Sequence, residues 1–317
     1  MEQCLGSDGA LLYLTTRSKT DSYTAHRVLH SEQAPGGGYF MPFQIPELSQ
    51  EDLFGLKDLS FNESIAKILN LFFGAKISGW DVDFAIGRQG VKFIIMSHRI
   101  YIAETWHNPD GTHEHLVRRL YKLLCGTEQT LTKPGVWFYT AVDIAVLFAV
   151  YGQLLRADIL QFDAAFKAGD LQSLVALRIA QRMGLPVRTT VLGAEENDDL
   201  WEFIYHGDYS TKRDVLPAGL EQLIYLLFGT DEVKRYLQIA ENRKIYQLDK
   251  NALDAFSDGL FVSVVGVNRA DNVIYNVKRN CSYSIGRETA CAYGALQDYR
   301  VRAPGSLDAV LFSHYRS

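Results

Sequence analysis

His107, His113, Glu114 and His115 place three imidazoles and a carboxylate within nine residues of sequence. Such groups at short range can bind a metal ion or move a proton. The spacing is poor for a metal. His113 and His115 stand i, i+2 and point to different faces of a helix, so they do not share an ion, and no metal is expected. The stretch reads instead as residues that cap and solvate a helix start. Glu114 in a first turn gains about 0.3–1 kcal/mol from the helix macrodipole, which gives it a use without chemistry. Cys281, within Arg279–Ser284, is the other reactive type. A nucleophilic thiol needs a nearby base and a depressed pKa, and the sequence shows neither, so a buried or idle cysteine is expected.

The elements around these residues follow from local signals. Lys92–Ile95 and Ile100–Glu104 read as strands about a turn at Ser97–Arg99, and a helix from His113 to Cys125 stops at Gly126. His107 to His115 thus belong to a strand–loop–helix unit. Upstream, Ser60 and Glu63 form a capping box ahead of Ile65, Ile68, Leu69 and Phe72, one buried stripe of an amphipathic helix. The apolar run Val136–Leu155 carries Asp143, Gly152 and Gln153, which makes it a buried helix before a membrane span. Asp170–Met183 is a helix closed by Gly184, and Val187–Leu192 a buried β-branched strand. Asn197 caps a helix through His206. A helix at Leu220–Phe228 and strands at Leu260–Val267, Val273–Val277 and Leu307–Phe312 complete the chain. Helices alternating with β-rich runs predict an α/β fold around a mainly parallel sheet.

Composition narrows the function classes. The chain has 317 residues, 47% of them hydrophobic and 22% charged, as an ordinary globular protein does. A net charge of −5 gives no electrostatic case for nucleic acid, so no nucleic-acid partner is expected. The N-terminus has no basic segment followed by an apolar one, and the four cysteines lack CxxC spacing. A cytoplasmic protein with reduced thiols and no membrane association is the expectation.

Five segments, in order, resemble the threonine synthase family, pyridoxal-phosphate (PLP) enzymes of fold-type II. Tyr13–Ser18 is similar to the family's Tyr-x-Ser-Thr-Arg-Gly strand, and Ala34–Pro42 to its Ala-Pro-Asp-Gly-Gly turn. Leu59–Ala66 matches the first capped helix. Met183–Pro186 leads to Glu195–Leu200 and Gly207–Ser210, close to Asn-Glu-Asn-Asp and Gly-Asp-Tyr-Ser. Thr289–Leu296 resembles the helix after Pro-His-Thr-Ala. The resemblance implies a reduced fold-type II scaffold: an N-terminal subdomain over residues 1–90 and a truncated α/β core over 91–317. The segment between the helix at His113 and the one ending at Met183 is short, so the small lid domain is expected to be largely missing.

The departures fall on the cofactor positions. The family's Glu-Leu-Phe-His-Gly-Pro-Thr-x-x-Phe-Lys-Asp aligns without gaps on Glu104–His115 and puts its Schiff-base lysine on Glu114, which cannot form an imine. The phosphate loop aligns on Lys167–Gln172, where Gly169 is retained and Asp170 opposes an anion. Arg287 and Glu288 replace the Pro-His pair. No cofactor is therefore expected, with one question left open: Lys122 lies roughly 12 Å along its helix from Glu114, too far to replace the lysine, while the sequence does not decide whether Lys167 reaches the pocket. In the family's fold the lysine position, the Arg287–Glu288 loop and the His107 loop face one pocket. The resemblance thus implies catalysis by Glu114 as base, His107 as acid or orienter, and Glu288. It implies substrate binding by Thr16, Arg17, Asn108, Lys167, Gly169 and Arg287, an arginine holding a carboxylate bidentately. Two functions follow: a PLP-independent lyase or cyclisation enzyme on an amino-acid-like substrate, or a non-catalytic binder of a small molecule or partner. Fold-type II relatives also make a homodimer an expectation.

Overall fold

The computed structural model describes residues 11–88, 91–97, 99–107, 111–126, 133–196, 198–211, 217–303, 305 and 308–314. The chain runs β1 (Leu12–Thr15), β2 (Ser18–Thr24), α1 (Ala25–Leu29), β3 (Phe40–Pro42), α2 (Gln50–Gly55), α3 (Phe61–Phe73) and α4 (Gly79–Ile86). It continues through β4 (Lys92–Ser97), β5 (Ile100–Glu104), α5 (His113–Cys125), α6 (Val136–Arg156), β6 (Phe162–Lys167), α7 (Leu171–Arg182) and β7 (Val187–Ala194). After α8 (Asp199–His206) and β8 (Asp208–Ser210) come α9 (Ala218–Phe228), α10 (Thr230–Glu241), β9 (Ile245–Gln247) and α11 (Lys250–Ser257). The last elements are β10 (Leu260–Val264), α12 (Val267–Cys281), α13 (Arg287–Arg302) and β11 (Asp308–Ser313).

The main sheet has the order β10-β7-β6-β11-β5-β4. Its first five strands are parallel, and β4 closes one edge antiparallel to β5. Period-two alternation builds a core on each face. On β11, Val310 and Phe312 join the cluster of α6 and α7, whereas Ala309 and Leu311 join that of α12 and α13. Helices on both faces of a parallel sheet make the α/β architecture expected from the sequence. The first core extends into the antiparallel sheet β2-β1-β3: Tyr13, Phe40 and Met41 share it with Phe72 and Trp137.

α6 is long and apolar enough to cross a membrane, and 89% of its most hydrophobic window is buried within the fold, as suits a core helix. The capping box at Ser60 and Glu63 forms as its spacing requires. Close packing of α13 on β7 depends on Gly193, where a Cβ would meet the Cys291 carbonyl oxygen at 2.2 Å.

Two expectations fail locally. Val273–Val277 is not a strand but the middle of α12. Its β-branched run misled; Ala270, Val273 and Val277 are the buried positions, a helical stripe that packing against α13 rewards over local propensity. The helix at His206 starts with Asp198 as its cap; Asn197 lies outside the described residues, as does the substrate-binding candidate Asn108.

Candidate functional site

The parallel strands deliver their carboxyl ends to one place. β6 ends on Lys167, β7 leads to Glu195, and β11 ends on Ser313 before His314, beside Glu104 at the end of β5 and Thr105 just after it. Three helices start there: α5 with Thr112 as its cap, α7 with Asp170, and α13 with Gly286. Their positive ends and the strand termini surround a cavity of about 900 Å³. Ligand sites of open α/β sheets form at such strand ends.

Among the residues expected from the sequence, Glu114, Lys167, Gly169, Arg287 and Glu288 line this cavity. Glu114 sits half-exposed, with Arg118 Nη2 2.7 Å from its Oε1. The hydrogen bond from Arg118, against the opposing effect of burial and with help from the Arg118 charge and Tyr139, holds its carboxyl below the ordinary value. Burial and then the nearby Glu114 charge push the Tyr139 phenol up to about 12. An anion stabilised in this way is a weak base.

Lys167 stands between two carboxylates, its Nζ 3.4 Å from Glu288 Oε1 and 3.5 Å from Glu195 Oε1. Burial alone would lower this amine, but Glu288 and Glu195 outweigh it and raise its pKa, so it is an ammonium. Arg287, the first residue of α13, is exposed and makes no ion pair among the described residues. Among the described residues no side chain caps that helix, so its first N–H groups and the guanidinium face the cavity together.

The other candidates lie elsewhere. His107 turns its Nε2 to the buried Glu104 carboxylate, stacks on Trp106 with centroids 4.0 Å apart, and leaves Glu104 Oε1 to accept the Tyr283 hydroxyl. Thr16 donates to Glu221, and Arg17 grips the same carboxylate with two hydrogen bonds of 2.8 and 3.0 Å. With Glu221 only 2% exposed, Thr16 and Arg17 hold α9 against the N-terminal sheet. The geometry therefore brings Glu114 and Glu288 together on one cavity but does not add His107, Thr16 or Arg17 to it.

The sequence reading missed the titratable floor of the cavity. His113 was expected to solvate a helix start. It folds inward instead, its Nε2 3.0 Å from Asp143 Oδ1 on the apolar helix α6. Its ring centroid is 4.3 Å from that of His314. His314 Nε2 is 3.0 Å from Ser173 Oγ, and its Nδ1 is 2.8 Å from Thr105 Oγ1. Ser173 donates in turn to Asp170 Oδ2 at 2.6 Å, and Asp170 Oδ1 caps α7 through the Ser173 N–H at 3.1 Å. Burial opposes a charge on His113, but Asp143, with Asp170 and Glu114 behind it, prevails and raises its pKa. Burial and the His113 charge keep His314 below its ordinary value, against Asp170 and Asp143. One signal for this was legible: Asp143 is the acidic residue inside the most apolar stretch of the chain, where a carboxylate needs a partner.

Cys281 is part-buried and free, and Cys291 is buried, its thiol pushed up by that burial. Among the described residues, no group of three or more His, Cys, Asp or Glu side chains is placed to hold a metal ion.

Comparison with known proteins places the fold. Residues 12–88 match the family model for the threonine synthase N terminus. No curated protein sequence matches the chain. The fold is similar to PLP-bound threonine synthase from Brucella melitensis, with a TM-score of 0.79 at 14% identity, covering 96% of this chain and 88% of that one. Yeast threonine synthase gives 0.80 at 14% identity, covering 96% and 87%. The Escherichia coli enzyme gives 0.69 at 15%, covering 96% and 88%. By its N-terminal segment in sequence, and along almost its whole length in fold, this chain is thus similar to the threonine synthases.

Proposed function

We propose that this chain is an enzyme on a threonine-synthase scaffold that works without PLP, moving protons on a small amino-acid-like molecule in a lyase or cyclisation reaction. The observation that carries this reading is the state of the groups where the cofactor would have to bind. A PLP site needs an amine able to lose its proton and a cradle for a phosphate. Lys167, the lysine lining the cavity, is an ammonium clamped by Glu195 and Glu288. At the start of α7 the Asp170 carboxylate occupies the capping position a phosphate would use. These residues do not fit the group.

They fit a substrate bearing both charges. Arg287 at the uncapped start of α13 supports a carboxylate, bidentately bound. Glu288 and Lys167 beside it supply a hydrogen-bonding wall for polar substituents. The sequence-derived base, Glu114, belongs on this reading to the rim, where it positions Arg118 and Tyr139.

Two measurements test the proposal. Protein incubated with PLP and treated with borohydride is expected to show no visible cofactor band and no label on Lys167; a label there would overturn it. A panel of amino acids screened by thermal shift is expected to give a stabilising ligand whose affinity drops at least about tenfold in Arg287→Ala, the loss of one charged contact. A non-catalytic binder is the second reading. It is favoured by the pairing of Glu114, Asp143 and Glu288 with Arg118, His113 and Lys167, which uses up their charge within the protein. Turnover of the stabilising ligand, lost in Glu288→Gln while binding persists, would eliminate it.

A further inference from the structure

We propose that His314 is the group that takes up and releases a proton beside the cavity, and that His113, its ring 4.3 Å away and its Nε2 against Asp143, sets how readily it does so. This deepens the acid–base reading above by naming a titrating group, and it rests on the hydrogen bonds around His314.

Ser173 has one hydroxyl proton, and Asp170 Oδ2 receives it at 2.6 Å. The Ser173 oxygen must then accept at its 3.0 Å contact with His314, so His314 carries its proton on Nε2. In the neutral ring Nδ1 is an acceptor, and Thr105 Oγ1 at 2.8 Å donates to it. The same Thr105 hydroxyl has a second acceptor, the Ser313 carbonyl oxygen, at 3.3 Å. When a proton arrives at Nδ1, the new N–H donates to Thr105 Oγ1 and the threonine hydroxyl turns to Ser313. Each polar atom of the ring keeps a partner in both states, and no heavy atom has to move. A buried histidine serving packing alone would be satisfied in one state and orphaned in the other, at about 1–3 kcal/mol.

The charges nearby poise this switch. On α5, His113 lies 4.3 Å away ring to ring and disfavours a second positive charge. Asp170, the cap of α7, 3.5 Å from Nε2, and Asp143 on α6 favour it. Glu114 on α5 acts on His113 from the rim, and Arg287 and Glu288 on α13 face the same cavity. His113 has its own asymmetry: Nε2 lies 3.0 Å from Asp143 Oδ1, while Nδ1 is buried with no hydrogen-bond partner among the described residues. An anionic substrate group entering the cavity would favour the protonated His314, and by reciprocal linkage the protonated ring would tighten the anion. The proton comes from solvent on binding and returns to it when the anion leaves.

The test reads the imidazoles directly in the full-length protein without ligand, by long-range proton–nitrogen NMR of the histidine rings across pH. His314 is expected as the Nε2–H tautomer near neutrality, passing to the imidazolium as pH falls. In His113→Gln, which removes the neighbouring cation, its midpoint should rise by about one pH unit, tenfold in proton affinity. In Thr105→Val, which removes the acceptor for the new N–H, it should fall by about half a unit or more. The two variants shift the same signal in opposite directions, which a packing role would not produce. An Nδ1–H tautomer, an unchanged midpoint in either variant, or a His314 that stays neutral until the protein unfolds would overturn the proposal. Because no ligand is used, this result and that of the amino-acid screen fail independently.

Discussion

Arg17 and Glu114 show how differently two charged residues of similar promise behave once their surroundings are known. Glu114 meets Arg118 one turn along α5, with both side chains about half-exposed. Solvent screens such a pair, and i, i+4 partners contribute about 0.3–0.5 kcal/mol. Glu114→Gln is therefore expected to change the unfolding free energy by no more than about 0.5 kcal/mol in a denaturant titration, and to leave the fold intact. Arg17 instead neutralises a carboxylate that is only 2% exposed. Arg17→Ala would strand the buried Glu221 charge, and losing one partner of a buried pair costs about 3–5 kcal/mol. The same titration should show a loss near the lower bound, since Arg17 itself is partly solvated. A loss under about 1 kcal/mol, the range of surface pairs, would contradict the clamp assigned to Thr16, Arg17 and Glu221. The sequence showed these residues but could not show Glu221, which lies 204 positions away from Arg17. For the same reason His113 was legible as a histidine at a helix start, and its inward turn onto Asp143 was not.

At the scale of elements, local signals served where an element's own sequence decides its form. The Ser60 capping box and the helix ending at Gly126 form where their spacing places them. They failed at α12, whose buried stripe takes its meaning from α13 packed beside it. α13 itself matters to the cavity because its first turn carries Arg287 and Glu288. Its distance from the sheet is set at Gly193, where an added Cβ would overlap backbone atoms of Cys291 at 2.2 and 2.4 Å. A side-chain end could swing away, but a helix backbone cannot. Gly193→Ala should push α13 off β7, with a destabilisation of about 1–3 kcal/mol or more from overpacking. It should also displace Arg287 and weaken the binding of any anionic ligand, although residue 193 is buried beneath the helix. Unaltered stability together with unaltered ligand affinity would show that α13 accommodates the methyl group and that the close approach is not limiting.

For the whole molecule, the two cavity histidines make opposite contributions to stability, so their sum has a shape that neither gives alone. The folded state raises the pKa of His113 above its ordinary 6.5. Its contribution is complete below that value and is lost as pH rises through the raised one. The folded state lowers the pKa of His314 from the same ordinary value. Protonation then favours the unfolded chain, so this group costs nothing above 6.5 and costs stability as pH falls from 6.5 to its lowered value. Together they place a maximum near the ordinary imidazole value, with a decline on the alkaline side from His113 and on the acid side from His314. Other carboxylates add their own loss at lower pH, so the difference between wild type and variant is the quantity to read. Thermal melts from about pH 5.5 to 8.5, between the carboxylate and thiol ranges, isolate it. Relative to wild type, His113→Gln should flatten the alkaline decline and, by raising the His314 midpoint, lessen the acid one, whereas His314→Gln should flatten the acid decline. If both variants merely lower the melting temperature by a constant amount at every pH, the imidazoles act by packing, and the cavity floor is not the place where this molecule handles protons.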